Sequence, residues 1–315
     1  MSFDSILDKL KNERGALSSI LIIIGILLLA MVVGNTIAAV FMILIGGIGV
    51  DDLTDINGAL MSSSSGWWAL MIGQGVASIL TFILAVIFYW KVVEKKNLDE
   101  LNFESVNNLK VFGLVILTQL CFLPLNSWFQ EINAAMQLPE ALSGVEKFMK
   151  SMEDSLAEMT EYLTQFDTLP KVIVGFIVIA VVAGIGEELI FRGLIQRKLY
   201  KGLKNPHTAI WLAAFIFSAI HFQFYGFLPR LFLGAMFGYF FLWTGNLWVP
   251  IVAHIFNNGF AVVMYYLANT QVMDAEVAEM EHFPTSVVLV SFVLTAGMLF
   301  LFKKSTDESK TPSVT

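Results

Sequence analysis

Long apolar runs separated by short polar segments set the pattern of this chain. Eight of them read as membrane-crossing helices, at about 16–45, 67–90, 111–128, 171–198, 208–224, 231–243, 250–268 and 286–302. The runs are continuous rather than alternating, which predicts helices and argues against a β-barrel. The first exceeds what a bilayer requires, and Gly34 and Gly46-Gly47 allow it to bend or tilt. The sixth is short. Residues 245–250 after it read as a turn that dips into the interface, and Pro250 suits the first turn of the next helix.

The polar segments carry less pattern. Residues 1–15 hold Lys9, Lys11 and Arg14 with Leu7 and Leu10 between, and predict a short helix on the membrane surface leading into an uncleaved anchor. Residues 51–66 are acidic, end in four serines and read as a plain connector. In 130–170, Phe148, Met149, Met152, Leu156, Met159, Leu163 and Phe166 recur at three and four with acidic residues between them. That spacing predicts an amphipathic helix: a lid over the outer mouth, an oligomer contact, or a helix lying against the bundle. The tail after Lys304 is polar and reads as disordered.

Composition changes the picture by exclusion. Of 315 residues 57% are hydrophobic and 14% charged, with a mean hydropathy of +0.72, which excludes a soluble domain. The net charge of −7 collects in the two acidic loops and points to no nucleic-acid partner. Cys121 is the single cysteine, so there is neither an internal disulfide nor a cysteine zinc cage. With the N-terminus in the cytoplasm, eight spans put all of the 19 basic residues inside except Lys147, Lys150, Lys171 and Arg230. The fold class is therefore an all-α polytopic membrane bundle of about eight helices, with both termini cytoplasmic.

Against this background, polar residues inside the apolar runs stand out. Glu187, Glu188 and Arg192 close the run that starts near Val172. An ionised side chain there costs at least about 2.5 kcal/mol and is usually functional. Glu188 and Arg192 are four apart and can pair; Glu187, turned by roughly 100°, is the free carboxylate. A salt-bridged structural cluster is the simpler reading of that segment alone. His221 follows Phe217 by one turn, and His254 and Asn258 share a helix face. At about 1.5 Å per residue, Glu187 lies about 16 Å from Lys198 and His221 about 20 Å from Thr208, but His254 only about 6 Å from Pro250. A dipping 245–250 turn removes that mismatch. A carboxylate beside a histidine can deprotonate water, and an imidazole with an amide can donate to the resulting oxyanion. The set suits metal-free peptide hydrolysis; zinc held by Glu187, His221 and His254 is the lesser reading, since no His-Glu-x-x-His motif is present.

Glu187-Glu188-x-x-x-Arg192, Phe217-x-x-x-His221 and His254-x-x-x-Asn258 together resemble the CPBP family of intramembrane glutamic endopeptidases, which includes the type II CAAX prenyl proteases and the bacterial Abi proteins. The resemblance covers about 172–268. It implies that Glu187 activates water with help from His221, that His254 and Asn258 form the oxyanion hole, and that Glu188 and Arg192 orient Glu187. No cofactor is implied. The implied partners are the lipid bilayer and a peptide or protein reached from within it, in a bacterial cytoplasmic membrane. One structural domain is expected: N-terminal helices with the acidic loop (1–170), a catalytic core (171–268), and a last helix with its tail (269–315). Two other classes compete with the protease, a non-catalytic immunity or scaffold protein and a proton-coupled transporter.

Overall fold

The computed structural model of the protein describes residues 2–49, 55–106, 108–273 and 282–308, and among these the regular structure is entirely helical. Ten helices carry the architecture: α1 (Phe3–Leu10), α2 (Ala16–Gly46), α3 (Gly66–Val93), α4 (Lys110–Ala134), α5 (Ser143–Leu163), α6 (Leu169–Leu203), α7 (Pro206–Ala219), α8 (Phe227–Thr244), α9 (Trp248–Asn269) and α10 (Thr285–Glu308). Seven of them (all but α1, α5 and α7) are long and apolar enough to cross a membrane, and α7 is apolar but shorter. Counting α7, these are the eight spans that the apolar runs predict. The protein is a multi-pass membrane protein.

α7 stops sooner than the apolar run to Phe224 suggests. Its 14 residues end at Ala219. The Ser218 hydroxyl donates to the Phe227 carbonyl at 2.7 Å, and Phe222 turns the chain with a left-handed φ of 53°. His221 therefore sits in a turn, not on a helix. Aromatic residues strained into this region are uncommon and concentrate near functional sites.

One end of the bundle is closed by charge. The Glu13 side chain is fully buried, with its oxygens 2.6 Å from Arg197 Nε and 2.7 Å from Lys198 Nζ. Lys198 also meets Glu94 at 2.7 Å. Buried ions are tolerated when paired in this way. α1 follows Glu13 onto the bundle: Ile6 and Leu10 are wholly buried, and the Phe3 ring meets Tyr200 edge-on at 5.4 Å. The short helix expected there thus forms and packs on the bundle. At the same end, the α8–α9 turn is roofed by residues 102–104. Gly245 takes a φ of 69°, and its carbonyl accepts from the Phe103 and Glu104 amides at 2.7 and 2.9 Å. Asn102 Oδ1 caps the Leu247 amide at 2.7 Å. The turn is thus packed against protein, with Asn246 and Leu247 buried and Trp248 exposed.

At the other end α5 lies against the bundle. The Trp67 indole donates to the Leu163 carbonyl at 3.0 Å, and Asn269 donates to the Thr164 carbonyl at 2.6 Å. Midway along α5, Glu153 accepts from the Tyr225 amide at 3.0 Å. Ile56–Ser62 forms a short helix with Leu60 fully buried, so that connector is more than a plain link; its residues 51–54 lie outside the described residues. Likewise α10 continues to Glu308 where a disordered tail is expected, and 309–315 lie outside the described residues.

Candidate active site

Glu187 and Glu188 come from the middle of α6, on a regular α segment Ala183–Glu188 flanked by π-helical stretches Phe176–Val182 and Leu189–Gln196. Wider turns of this kind re-aim the side chains that follow them and are frequent at functional sites. Two glycines then admit the neighbouring helices. A Cβ on Gly184 would lie 2.9 Å from the Ile255 side chain and 3.2 Å from its backbone nitrogen, and one on Gly186 would lie 2.7 Å from Phe82. α9 can therefore press its His254 turn against the carboxylates.

The result is a compact ionic set. Arg192 Nη1 donates to Glu188 Oε1 at 2.7 Å, and His254 Nδ1 lies 2.8 Å from the same oxygen. Across the imidazole, Nε2 is 3.7 Å from Glu187 Oε2. Arg192 Nη2 donates to the Gly234 carbonyl at 2.6 Å, and its guanidinium stands 5.3 Å from the Phe217 ring and 5.5 Å from that of Phe237. Side-chain exposure separates the two glutamates: Glu188 is at 0% and Glu187 at 17%. Glu188 meets a cation and an imidazole through Oε1, while its buried Oε2 has no hydrogen-bond partner. Glu187 keeps an open side.

The histidine tautomers follow from their acceptors. A carboxylate only accepts, so His254 Nδ1 carries a proton toward Glu188. Its Nε2 is then a lone pair in the neutral ring and a donor only in the imidazolium. His221 Nδ1 lies 2.7 Å from the Phe217 carbonyl and donates to it, which leaves Nε2 as its free acceptor. Phe217 holds both rings edge-on, at 5.0 Å to His221 and 6.1 Å to His254. His221 is close enough to Glu187 and His254 for their charges to interact. Asn258 donates from Nδ2 to the Ile179 carbonyl at 3.0 Å, a group on the first π stretch, and accepts from Asn257 at 3.1 Å. One N–H of its amide remains.

The sequence reading named Glu187, Glu188, Arg192, His221, His254 and Asn258. The structure gathers Glu187, Glu188, Arg192 and His254 by direct contact, joins His221 through Phe217, and ties Asn258 to α6 at Ile179, eight residues before Glu187. Two features were missed. Gln119 of α4, buried, donates to the Ala253 carbonyl at 2.7 Å and so fixes α9 one residue before His254. The bridging of both carboxylates by His254 was also missed, since spacing alone reveals no contact between helices. Among the described residues no three His, Cys, Asp or Glu side chains gather as a metal set would.

Comparisons with known proteins fall on this same region. Residues 169–260 match the family model described as type II CAAX prenyl endopeptidase Rce1-like. The chain is 35% identical over 72 residues to an uncharacterised protein, YpbD, of Bacillus subtilis (strain 168), which covers 22% of this chain and 33% of that protein. It is 31% identical over 101 residues to the membrane-embedded CAAX protease MroQ of Staphylococcus aureus (strain USA300), covering 30% of this chain and 40% of MroQ. The matches thus span well under half of either relative. No solved structure matches the chain significantly. Residues 169–260, which hold all three polar motifs, are thus similar to the Rce1-like type II CAAX prenyl endopeptidases, the family those motifs resemble.

Proposed function

We propose that this protein is an intramembrane endopeptidase that hydrolyses a peptide bond with a water activated by Glu187. The observation that carries the reading is the division of labour between adjacent carboxylates: Glu188 is locked by Arg192 and His254, while Glu187 is the partly open one. The similarity of residues 169–260 to membrane proteases supports it.

In this mechanism Glu187, helped by the free Nε2 of His221, takes a proton from water as the oxygen attacks the scissile carbonyl carbon. The carbonyl becomes an oxyanion and accepts hydrogen bonds from His254 Nε2–H and the spare Asn258 N–H. Collapse of that intermediate breaks the C–N bond, and Glu187 returns its proton to the leaving amine. His254 donates through Nε2 only as an imidazolium. Glu188 and Arg192 act by holding His254. No metal or cofactor takes part. The basic end of the bundle faces the cytoplasm of a bacterial cell, and the substrate is a peptide reached from within the membrane.

The test is a peptide-cleavage screen on purified full-length protein against a Glu187→Gln variant, with and without exhaustive chelation. Cleavage lost only in the variant supports the proposal. Activity lost to chelation and restored by zinc overturns the metal-free mechanism. Full biological function in Glu187→Gln points to a non-catalytic immunity or scaffold role.

A further inference from the structure

Arg230, in the first turn of α8, belongs to none of the three motifs and is the basic residue nearest the site on the end opposite the lysine-rich one. Its Nη1 donates to the Gln223 side chain at 2.9 Å and its Nη2 to the Gln223 carbonyl at 2.6 Å, both neutral acceptors. The guanidinium lies flat over Gly226, where a Cβ would come within 2.8 Å of it. Nε is buried with no partner, and among the described residues Arg230 forms no ion pair. Glu187 and Glu153 are near enough for their charges to be felt, yet neither is in contact with it. Glu153 is occupied with the Tyr225 amide. A half-buried guanidinium without a contacting counter-ion is costly in an apolar protein. Its planar fork is suited to a carboxylate.

The surroundings place that charge with respect to the reaction. Gln223, which Arg230 clasps, is two residues from His221. The same turn is fixed from α4, where Asn133 donates to the Phe224 carbonyl at 2.9 Å and accepts from the Leu228 amide at 2.6 Å, and Gln130 donates to the Tyr225 carbonyl at 3.0 Å. Arg230 is thus held rigidly at the α5 side of Glu187 and His221, with a neutral clasp that leaves its charge unspent.

We propose that Arg230 is a specificity residue that receives a carboxylate of the bound peptide, either its free C-terminus or an acidic side chain, on the α5 side of the scissile bond. This rests on the peptidase reading for its substrate, but its test reads binding rather than cleavage. Full-length protein carrying Glu187→Gln is reconstituted in nanodiscs and titrated with matched sets of apolar hexapeptides. One set carries a free C-terminal carboxylate or its amide, the other an internal aspartate or asparagine. The expected result is acid over amide binding by about 10–100-fold in one of the two sets, as a charge-assisted bond confers. The set that discriminates identifies the source of the carboxylate. Adding Arg230→Gln should abolish the preference, and Arg230→Lys should keep part of it with the clasp on Gln223 altered. Should Arg230→Gln lower thermal stability, Gln223→Ala provides the control: it removes the side-chain half of the clasp, keeps the bond to the Gln223 carbonyl and the charge, and should keep the acid preference. Equal binding of acid and amide, no binding of any acid peptide, or a preference that survives Arg230→Gln overturns the assignment. So does a shift in the pH profile of cleavage in Arg230→Gln with discrimination unchanged, which would make Arg230 a counter-charge for Glu187 only. Cleavage retained in Glu187→Gln, with the acid preference intact, would sink the peptidase mechanism and leave this binding site standing.

Discussion

Removing the Glu187 carboxylate and removing that of Glu188 should fail in different ways. Glu187 touches no arginine or lysine and is the more exposed of the two carboxylates, so Glu187→Gln alters only its 3.7 Å approach to His254 and leaves the Glu188–Arg192 pair in place. It should abolish peptide cleavage while thermal unfolding in detergent stays close to wild type. Glu187→Asp, one methylene shorter, should leave at most a trace of activity. Glu188→Ala instead strands the fully buried Arg192 and frees His254 Nδ1. Losing one partner of such a pair costs about 3–5 kcal/mol, which should appear as a marked fall in Tm before any question of catalysis. On the oxyanion side, Asn258→Ala and His254→Ala should each lower kcat by roughly 10²-fold or more. A purified Glu188→Ala protein as stable as wild type would mean that the ion set is less buried than its geometry indicates. These six side chains were legible because membrane burial makes each polar residue conspicuous and because i, i+4 spacing survives as contact, as Glu188–Arg192 and Phe217–His221 show. Arg230 carries the same signal, a lone cation in Phe-Leu-Pro-Arg-Leu-Phe-Leu, but in the sequence it counts only as one of the four basic residues on the outer side.

The helices themselves set how those side chains meet. α6 and α9 approach through Gly184, where the obstruction to a Cβ includes the Ile255 backbone and not only a movable side chain. Gly184→Ala should therefore push α9 away, at a cost of about 1–3 kcal/mol. The more telling readout is a loss of kcat larger than the loss of stability explains, because the 3.7 Å gap from His254 to Glu187 widens. A second prediction concerns the strap of residues 3–14 on the end of α6. Burial alone would raise the Glu94 carboxyl, but the hydrogen bonds from Lys198 and Tyr89 outweigh it and hold Glu94 below its ordinary 4.5. A carboxyl lowered by folding contributes stability above its unfolded value, and that contribution is lost as the pH falls through the folded one. Hydrogen exchange in residues 3–14, corrected for intrinsic rates, should stay protected from neutral pH down to about pH 5 and rise below about 4.5. Unchanged protection in acid would mean that apolar packing of Ile6 and Leu10 alone holds the strap. Little of this was legible in the sequence. Periodicity cannot show a π stretch inside a run that is apolar on every face, nor that α7 stops at Ala219. Glu13 reads as one more surface charge until Arg197 and Lys198 are brought to it.

At the scale of the whole molecule, two sets of contacts define two ends. Lys9 with Glu104, Glu13 with Arg197, and Asn102 with Leu247 gather the N-terminus, the α3–α4 connection, the end of α6 and the α8–α9 turn. Trp67 with Leu163, Thr164 with Asn269 and Glu153 with Tyr225 gather the starts of α3 and α8, the end of α9 and helix α5. α10 finishes at the first end, since Phe302 packs on Phe240 and Trp243 near the close of α8. Segregating the basic residues required this same division, which is why the number of spans was legible: one miscounted helix would exchange the ends of everything after it. The lysine-rich end should face the cytoplasm. With Cys121 replaced by alanine, single cysteines at the exposed positions Ser64 and Asp307 report opposite ends. A membrane-impermeant maleimide applied to intact cells should label Ser64→Cys at once and Asp307→Cys only after permeabilisation. The reverse pattern would invert the protein in the membrane and put the α5 side of the site in the cytoplasm. Labelling of both positions from one side would remove the eight-span topology, because α7 would then no longer count as a crossing.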